Sequence, residues 1–80
     1  MKTLREKIIN ELKEQNLGSG NNWTFQQRRN FVDNLNPVEK KNIIIELNKM
    51  IDEGYFVTFE NNDYAPLRLT EKCEKEIWGK

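Results

Sequence analysis

Residues 52–72 read DEGYFVTFENNDYAPLRLTEK. A glycine follows a helical run, two short apolar segments flank a polar turn, and a charged helical segment closes the stretch. Gly54 supplies the left-handed conformation that stops a helix. YFVTFE, rich in aromatic and β-branched residues, predicts a strand over 55–60. NND is turn chemistry. APLRLT over 65–70 predicts a second strand pairing antiparallel with the first, with Leu67 and Leu69 on one face and Arg68 on the other. Pro66 lacks a ladder donor, so it belongs at an edge or in the connecting loop. Thr70 caps a last helix, EKCEKEIW, with Cys73 and Ile77 inward.

Upstream, three helices are announced by their starts. Thr3 with Glu6, Thr24 with Gln27, and Asn36 with Glu39 each set a capping residue three positions before a Glu or Gln. Pro37 occupies the first helical position after Asn36, where its missing donor costs nothing. The first helix spans about 3–15 with Leu4, Ile8 and Leu12 in line, and LGSGNN ends it. Trp23 follows and is a candidate for a very short strand. The second helix covers about 25–34, with Phe25, Val32 and either Phe31 or Leu35 inward. The third runs from Pro37 to about Glu53, with Ile43, Leu47, Met50 and Ile51 inward and Ile44 at the margin. The expected fold class is mostly α with a small β-hairpin (α+β), in one domain over 1–80. At 80 residues such a chain buries about 60% of its unfolded surface, so nearly all its apolar residues serve one core.

Composition narrows the chemistry. There is no histidine, which removes the commonest general base and metal ligand. Cys73 is the only cysteine, so neither an intrachain disulfide nor a thiolate cage is available. Ser19 is the only serine and has no histidine to activate it, and its flanking glycines lack the spacing of a phosphate-binding loop. The expectation is a non-enzyme with no metal and no cofactor. Acids and bases interrupt each apolar run of MKTLREKIINELKEQ, unlike a signal peptide, and no stretch reaches the roughly 20 apolar residues of a membrane span. A cytoplasmic protein without membrane contact is expected. The richness in Asn, Lys, Ile and Glu is associated with AT-rich genomes, such as those of low-GC bacteria and their phages.

Helix, helix, helix, hairpin is the order of a winged helix-turn-helix domain. LNKMIDEGYF, residues 47–56, resembles the end of the recognition helix in bacterial regulators of the MarR and PadR kind, where a leucine-rich run leads into Glu-x-Gly and an aromatic or aliphatic pair. LRLTEK resembles their second wing strand and following helix, whose usual pattern is Tyr-x-Leu-Thr-x-x-Gly. Here Leu67 stands for the tyrosine and Cys73 for the glycine. The match covers 36–78, and the first 35 residues match by element order. The resemblance implies a three-helix core, a wing and a short C-terminal helix. It also implies a recognition helix in the major groove of double-stranded DNA, with the wing on neighbouring backbone.

On that reading Arg28, Arg29, Lys40, Lys41, Asn61, Asn62 and Arg68 contact DNA, the cations on phosphates, while Asn42 reads an adenine edge. The alternative is that these are solvated faces of ordinary helices. Two features weigh against DNA. Thirteen basic and 13 acidic residues give no net charge, so any basic patch must be local, with acids segregated elsewhere. Ile45 also lies about 160° around the helix from Leu47, on the side opposite the core, with Val38 and Lys49. An isoleucine there contacts a thymine methyl, a partner protein or a second subunit, or nothing. Trp78 is either a lid on the core or a dimer contact. Tyr55, Phe59 and Tyr64 are sheet-packing aromatics or stack on bases. The expected function is therefore a small DNA-binding transcriptional regulator or architectural factor. The alternative is a winged-helix adaptor for a protein partner, of phage or mobile-element origin, using Val38, Ile45 and Trp78.

Overall fold

The computed structural model describes residues 3–58 and 65–79. In chain order they form α1 (Leu4–Glu14), β1 (Asn22–Trp23), α2 (Phe25–Asp33), α3 (Pro37–Asp52), β2 (Phe56–Thr58), β3 (Leu67–Leu69) and α4 (Glu71–Trp78). The result is a small α+β fold with four helices and a three-stranded antiparallel sheet among the described residues.

All three capping boxes form. Thr3, Thr24 and Asn36 each accept from the backbone N–H three residues on, and Glu6, Gln27 and Glu39 return the bond to the cap's own N–H. Thr70 caps α4 by accepting from Cys73 N. The ends of α1 and α3 share one device. Past α3, Gly54 takes φ 89°, the Gly54 N–H donates to the Ile51 carbonyl, and the Tyr55 N–H donates to the Met50 carbonyl at 2.9 Å. Past α1, Asn16 takes φ 57° and the Leu17 N–H donates to the Leu12 carbonyl at 3.1 Å. Asparagine tolerates this region better than most side chains, so a glycine is dispensable there.

β2 and β3 pair antiparallel with Phe56 opposite Leu69, Val57 opposite Arg68 and Thr58 opposite Leu67. This is the expected hairpin, with shorter strands. Pro66 sits one residue before β3 and withholds no ladder donor. β1 joins the other edge of β3, with Trp23 opposite Leu67, so the strand order is β1-β3-β2. Period-two alternation turns Leu67 and Leu69 inward and Arg68 outward.

The core gathers Ile8 and Leu12 of α1, Ile43, Leu47 and Met50 of α3, Phe56, Leu67 and Leu69 of the sheet, and Cys73 and Ile77 of α4. Trp23 is at its centre, fully buried, with ring centroids 5.8 Å from Phe31 and 6.2 Å from Phe56. Tyr55 is also buried, with the Lys72 ammonium 5.0 Å and the Arg5 guanidinium 5.6 Å from its ring centroid. It is therefore not placed to stack on a base. Phe59 and Tyr64 lie outside the described residues.

In α2 the expected inward set changes. Leu35, just past the helix, is buried, and both Phe31 and Val32 pack against the core from half-buried positions. The one buried residue of α2 is Arg28, and Phe25 is half-buried with the Arg28 guanidinium 6.0 Å from its ring centroid.

Candidate functional site

α2 and α3 are joined by a tight turn in which the Leu35 N–H donates to the Val32 carbonyl at 3.0 Å and Asn36 opens the next capping box. α3 is the longest helix described, and its two sides are chemically unlike. Glu39 and Glu46, and Glu53 just past the helix end, recur every seven residues, which brings them onto one line. That line faces α1. Arg5 of α1 donates Nε to Glu46 at 2.8 Å, and both terminal nitrogens to Glu53 at 2.8 and 2.9 Å. Lys7 pairs with Oε2 of Glu39, whose Oε1 accepts the Asn36 N–H. The bond from Lys7, aided by the Asn36 backbone, holds the Glu39 carboxyl below the usual carboxylate range. The Arg5 fork does the same for Glu53, and both carboxylates push the Arg5 guanidinium further up.

The side of α3 away from α1 and the core is open. Val38 is 66% exposed, Ile44 58% and Ile45 56%. Lys41, Asn42, Asn48, Lys49 and Asp52 are exposed with them. The carboxylates on the α1 side are matched by Arg5 and Lys7. What the open side presents is therefore Lys41 and Lys49 against Asp52, interleaved with three aliphatics, while Lys40 is exposed near the helix start, in line with Leu47. A chain with no net charge carries a locally positive helix face.

The other expected contact residues fall in different places. Arg29 is exposed on α2, the helix that packs beside α3. Arg28, expected on phosphate, is instead only 8% exposed. Its guanidinium donates Nη1 to the Trp23 carbonyl and Nη2 to the Ala65 carbonyl, each at 2.7 Å. It spans the end of β1 and the approach to β3, and serves the sheet. The spacing of Phe25, Arg28, Phe31 and Leu35 places residue 28 on the apolar side of its helix, a signal that charge alone concealed. Arg68 is exposed on the outer face of the sheet between Val57 and Asn22, with Nε 3.4 Å from Asn22 Oδ1. Asn42 is exposed and donates one Nδ2 hydrogen to the Val38 carbonyl at 2.9 Å. Asn61 and Asn62 lie outside the described residues. Trp78 is 43% exposed but donates its indole N–H to the Leu17 carbonyl at 2.9 Å, with the Lys13 ammonium 5.7 Å from its ring centroid. This bond closes the loop after α1 over α4, as a lid would.

Other sites offer little chemistry. Among the described residues no three His, Cys, Asp or Glu side chains cluster as cation ligands. Cys73 is buried, and burial, with Glu76 nearby, pushes its thiol up to about 12, so it stays a thiol at neutral pH. A hollow of about 230 Å³ bordered by Thr3, Arg5, Glu6, Ile9, Asn10 and Glu76 is smaller than the pockets of roughly 300 Å³ and above that hold small molecules. No described helix is long and apolar enough to cross a membrane. No protein-family model, curated protein or solved structure matches this chain.

Proposed function

We propose that the chain is a winged helix-turn-helix protein that binds double-stranded DNA through the open side of α3, as a transcriptional regulator or architectural factor. Element order, the tight α2–α3 turn and strand order β1-β3-β2 support the fold reading. The observation that carries the function is the sorting of charge on α3. Glu39, Glu46 and Glu53 are turned to α1 and paired, while Lys40, Lys41 and Lys49 are exposed. Neutral overall charge opposes long-range attraction to phosphate, but a segregated face restores it within a Debye length of about 10 Å. Arg29 of α2 and Arg68 of the sheet extend the cationic set, and Arg28 leaves it.

The test is retention on a duplex of mixed sequence at about 50 mM salt, followed by a salt titration. The double variant Lys40→Ala, Lys41→Ala binds more weakly, and its log–log salt slope is shallower by about 0.9 for each phosphate it no longer neutralises. Absence of any retention of the wild-type protein overturns the DNA reading.

A second reading is favoured by the exposure of Val38, Ile44 and Ile45. In it the same side of α3 docks on a protein, as an adaptor or as the seam of a homodimer. It predicts association that depends on Ile45 and is insensitive to Lys40 and Lys41.

A further inference from the structure

We infer that Val38 and Ile45 read thymine methyl groups, so that the DNA this face takes is a major groove with thymines at two separated positions; this rests on the DNA reading above. The two side chains lie seven residues apart on the open side of α3, about 160–180° around the helix from Leu47. Seven residues advance about 10.5 Å along a helix, enough for the two side chains to meet different base pairs along a groove. Both residues are β-branched, and in a helix such side chains keep essentially one χ1 rotamer, so their methyls are already fixed before binding.

What surrounds them argues for a groove rather than a protein core. Lys41 and Asn42 lie between them along the helix, and Lys49 follows Ile45 by one turn, all exposed. Protein interfaces are depleted of charged residues at their centre, and a stable one buries about 800 Å² per partner. Val38 and Ile45 divided by lysine and asparagine, with Ile44 about 100° further round the helix, do not make such a centre. In a major groove the same interleaving has a use. The long lysine stems reach the flanking phosphates, while the short branched side chains stay level with the base edges. There the thymine C5-methyl is the one apolar group on offer. Apolar packing on the thymine thus gives this helix a means to distinguish A·T from G·C.

The experiment selects binders from a random-sequence duplex pool at about 50 mM salt, a condition permissive for phosphate binding. The selected duplexes are remade with deoxyuridine replacing thymidine one position at a time, which removes only the methyl group, and affinity is followed by fluorescence anisotropy. Selected duplexes should share thymines at two positions a few base pairs apart. Deoxyuridine at each of these positions should weaken binding about fourfold, the worth of one buried methyl. Ile45→Ala should abolish the thymine preference at one of the two positions and leave it at the other, with an unchanged circular dichroism melt. Tight binding with equal affinity for thymine and uracil at every position overturns methyl reading and leaves the DNA reading standing. Failure to retain any duplex overturns both. Sedimentation showing a dimer that Ile45→Ala dissociates assigns the face to a second copy and overturns the inference.

Discussion

The two flanks of α3 carry opposite charges and put them to opposite uses. On the α1 flank, charged side chains face one another across a helix pair, and Glu39, Glu46 and Glu53 are tied to Lys7 and Arg5. On the open flank, Lys41 and Lys49 stand beside Val38 and Ile45 with no ion pair among the described residues. The inner edge between the flanks is apolar and closed by Ile43, Leu47 and Met50. A helix can thus carry no net charge and still present a polarised surface, because periodicity and not composition decides which charges are neutralised. The contrast makes distinct demands on each flank, and substitutions separate them.

The largest effect is expected at the closed edge. Leu47→Ala removes a buried side chain and should cost about 2–5 kcal/mol, since the surrounding helices cannot collapse fully into the space. Urea denaturation measures it, and a loss below about 1 kcal/mol would place Leu47 at a poorly packed margin.

Next comes Arg28, which resembles neither flank of α3. Arg28→Met keeps much of the volume but leaves the carbonyls of Trp23 and Ala65 without its two donors. Stranding a buried acceptor costs about 1–3 kcal/mol, so the variant should be clearly less stable in urea. Lysine should not rescue it, because one ammonium lacks the planar fork that spans both carbonyls. A variant that folds normally yet loses DNA affinity would return Arg28 to the binding face.

Arg28 also marks the boundary of what the sequence discloses. Caps, helix ends and the pairing of the two hairpin strands were legible because their partners lie on one short stretch of chain: Thr24 with Gln27, Gly54 beside the helix it ends, Phe56 and Leu69 across one connection. The apolar stripe of α3 was legible for the same reason. The fate of Arg28 depends on Ala65, 37 residues away, and on a strand of only two residues at Trp23. The central position of Trp23 was illegible too, because a tryptophan in a loop-like segment has no periodicity to mark it. Within the candidate site, the exposure of Val38 and Ile45 was readable from the helical wheel. The pairing of the three glutamates was not, since it needs Arg5 and Lys7 from a helix more than 30 residues away.

That pairing predicts a pH dependence confined to the α1 flank. The folded state holds the Glu39 and Glu53 carboxyls below their ordinary value of 4.5. The unfolded chain therefore binds more protons as the solution becomes acid. The stability these groups contribute is complete above 4.5 and is lost as the pH falls through that value toward their lowered folded values. Melting temperatures of wild type and of the double variant Glu39→Gln, Glu53→Gln should be compared between neutral pH and about pH 3, below the unperturbed carboxylate range. The variant should show the shallower decline. Identical acid limbs would mean that Lys7 and Arg5 are solvated and that α1 holds α3 by apolar packing alone.

The smallest effect on stability, and the sharpest on function, belongs to Ile45. Replacement of an exposed side chain remote from caps and core usually changes stability by no more than about 0.5 kcal/mol, so Ile45→Glu should melt as the wild type does. What it changes is the open flank, where a carboxylate now stands among Lys41, Lys49 and whatever they face. If that is DNA, affinity falls because the methyls are gone and because the carboxylate repels phosphate. Ile45→Gln divides the two causes, because it removes the methyls and adds no charge. If the face docks on a protein or a second copy, the complex dissociates while the monomer keeps its melting temperature. If Ile45 touches nothing, association and DNA affinity both stay put. Loss of the fold would contradict the exposure of Ile45 and require α3 to be rotated by nearly half a turn, carrying Glu39, Glu46 and Glu53 away from Arg5 and Lys7. The pH experiment on the opposite flank would then fail as well, so the two flanks check each other.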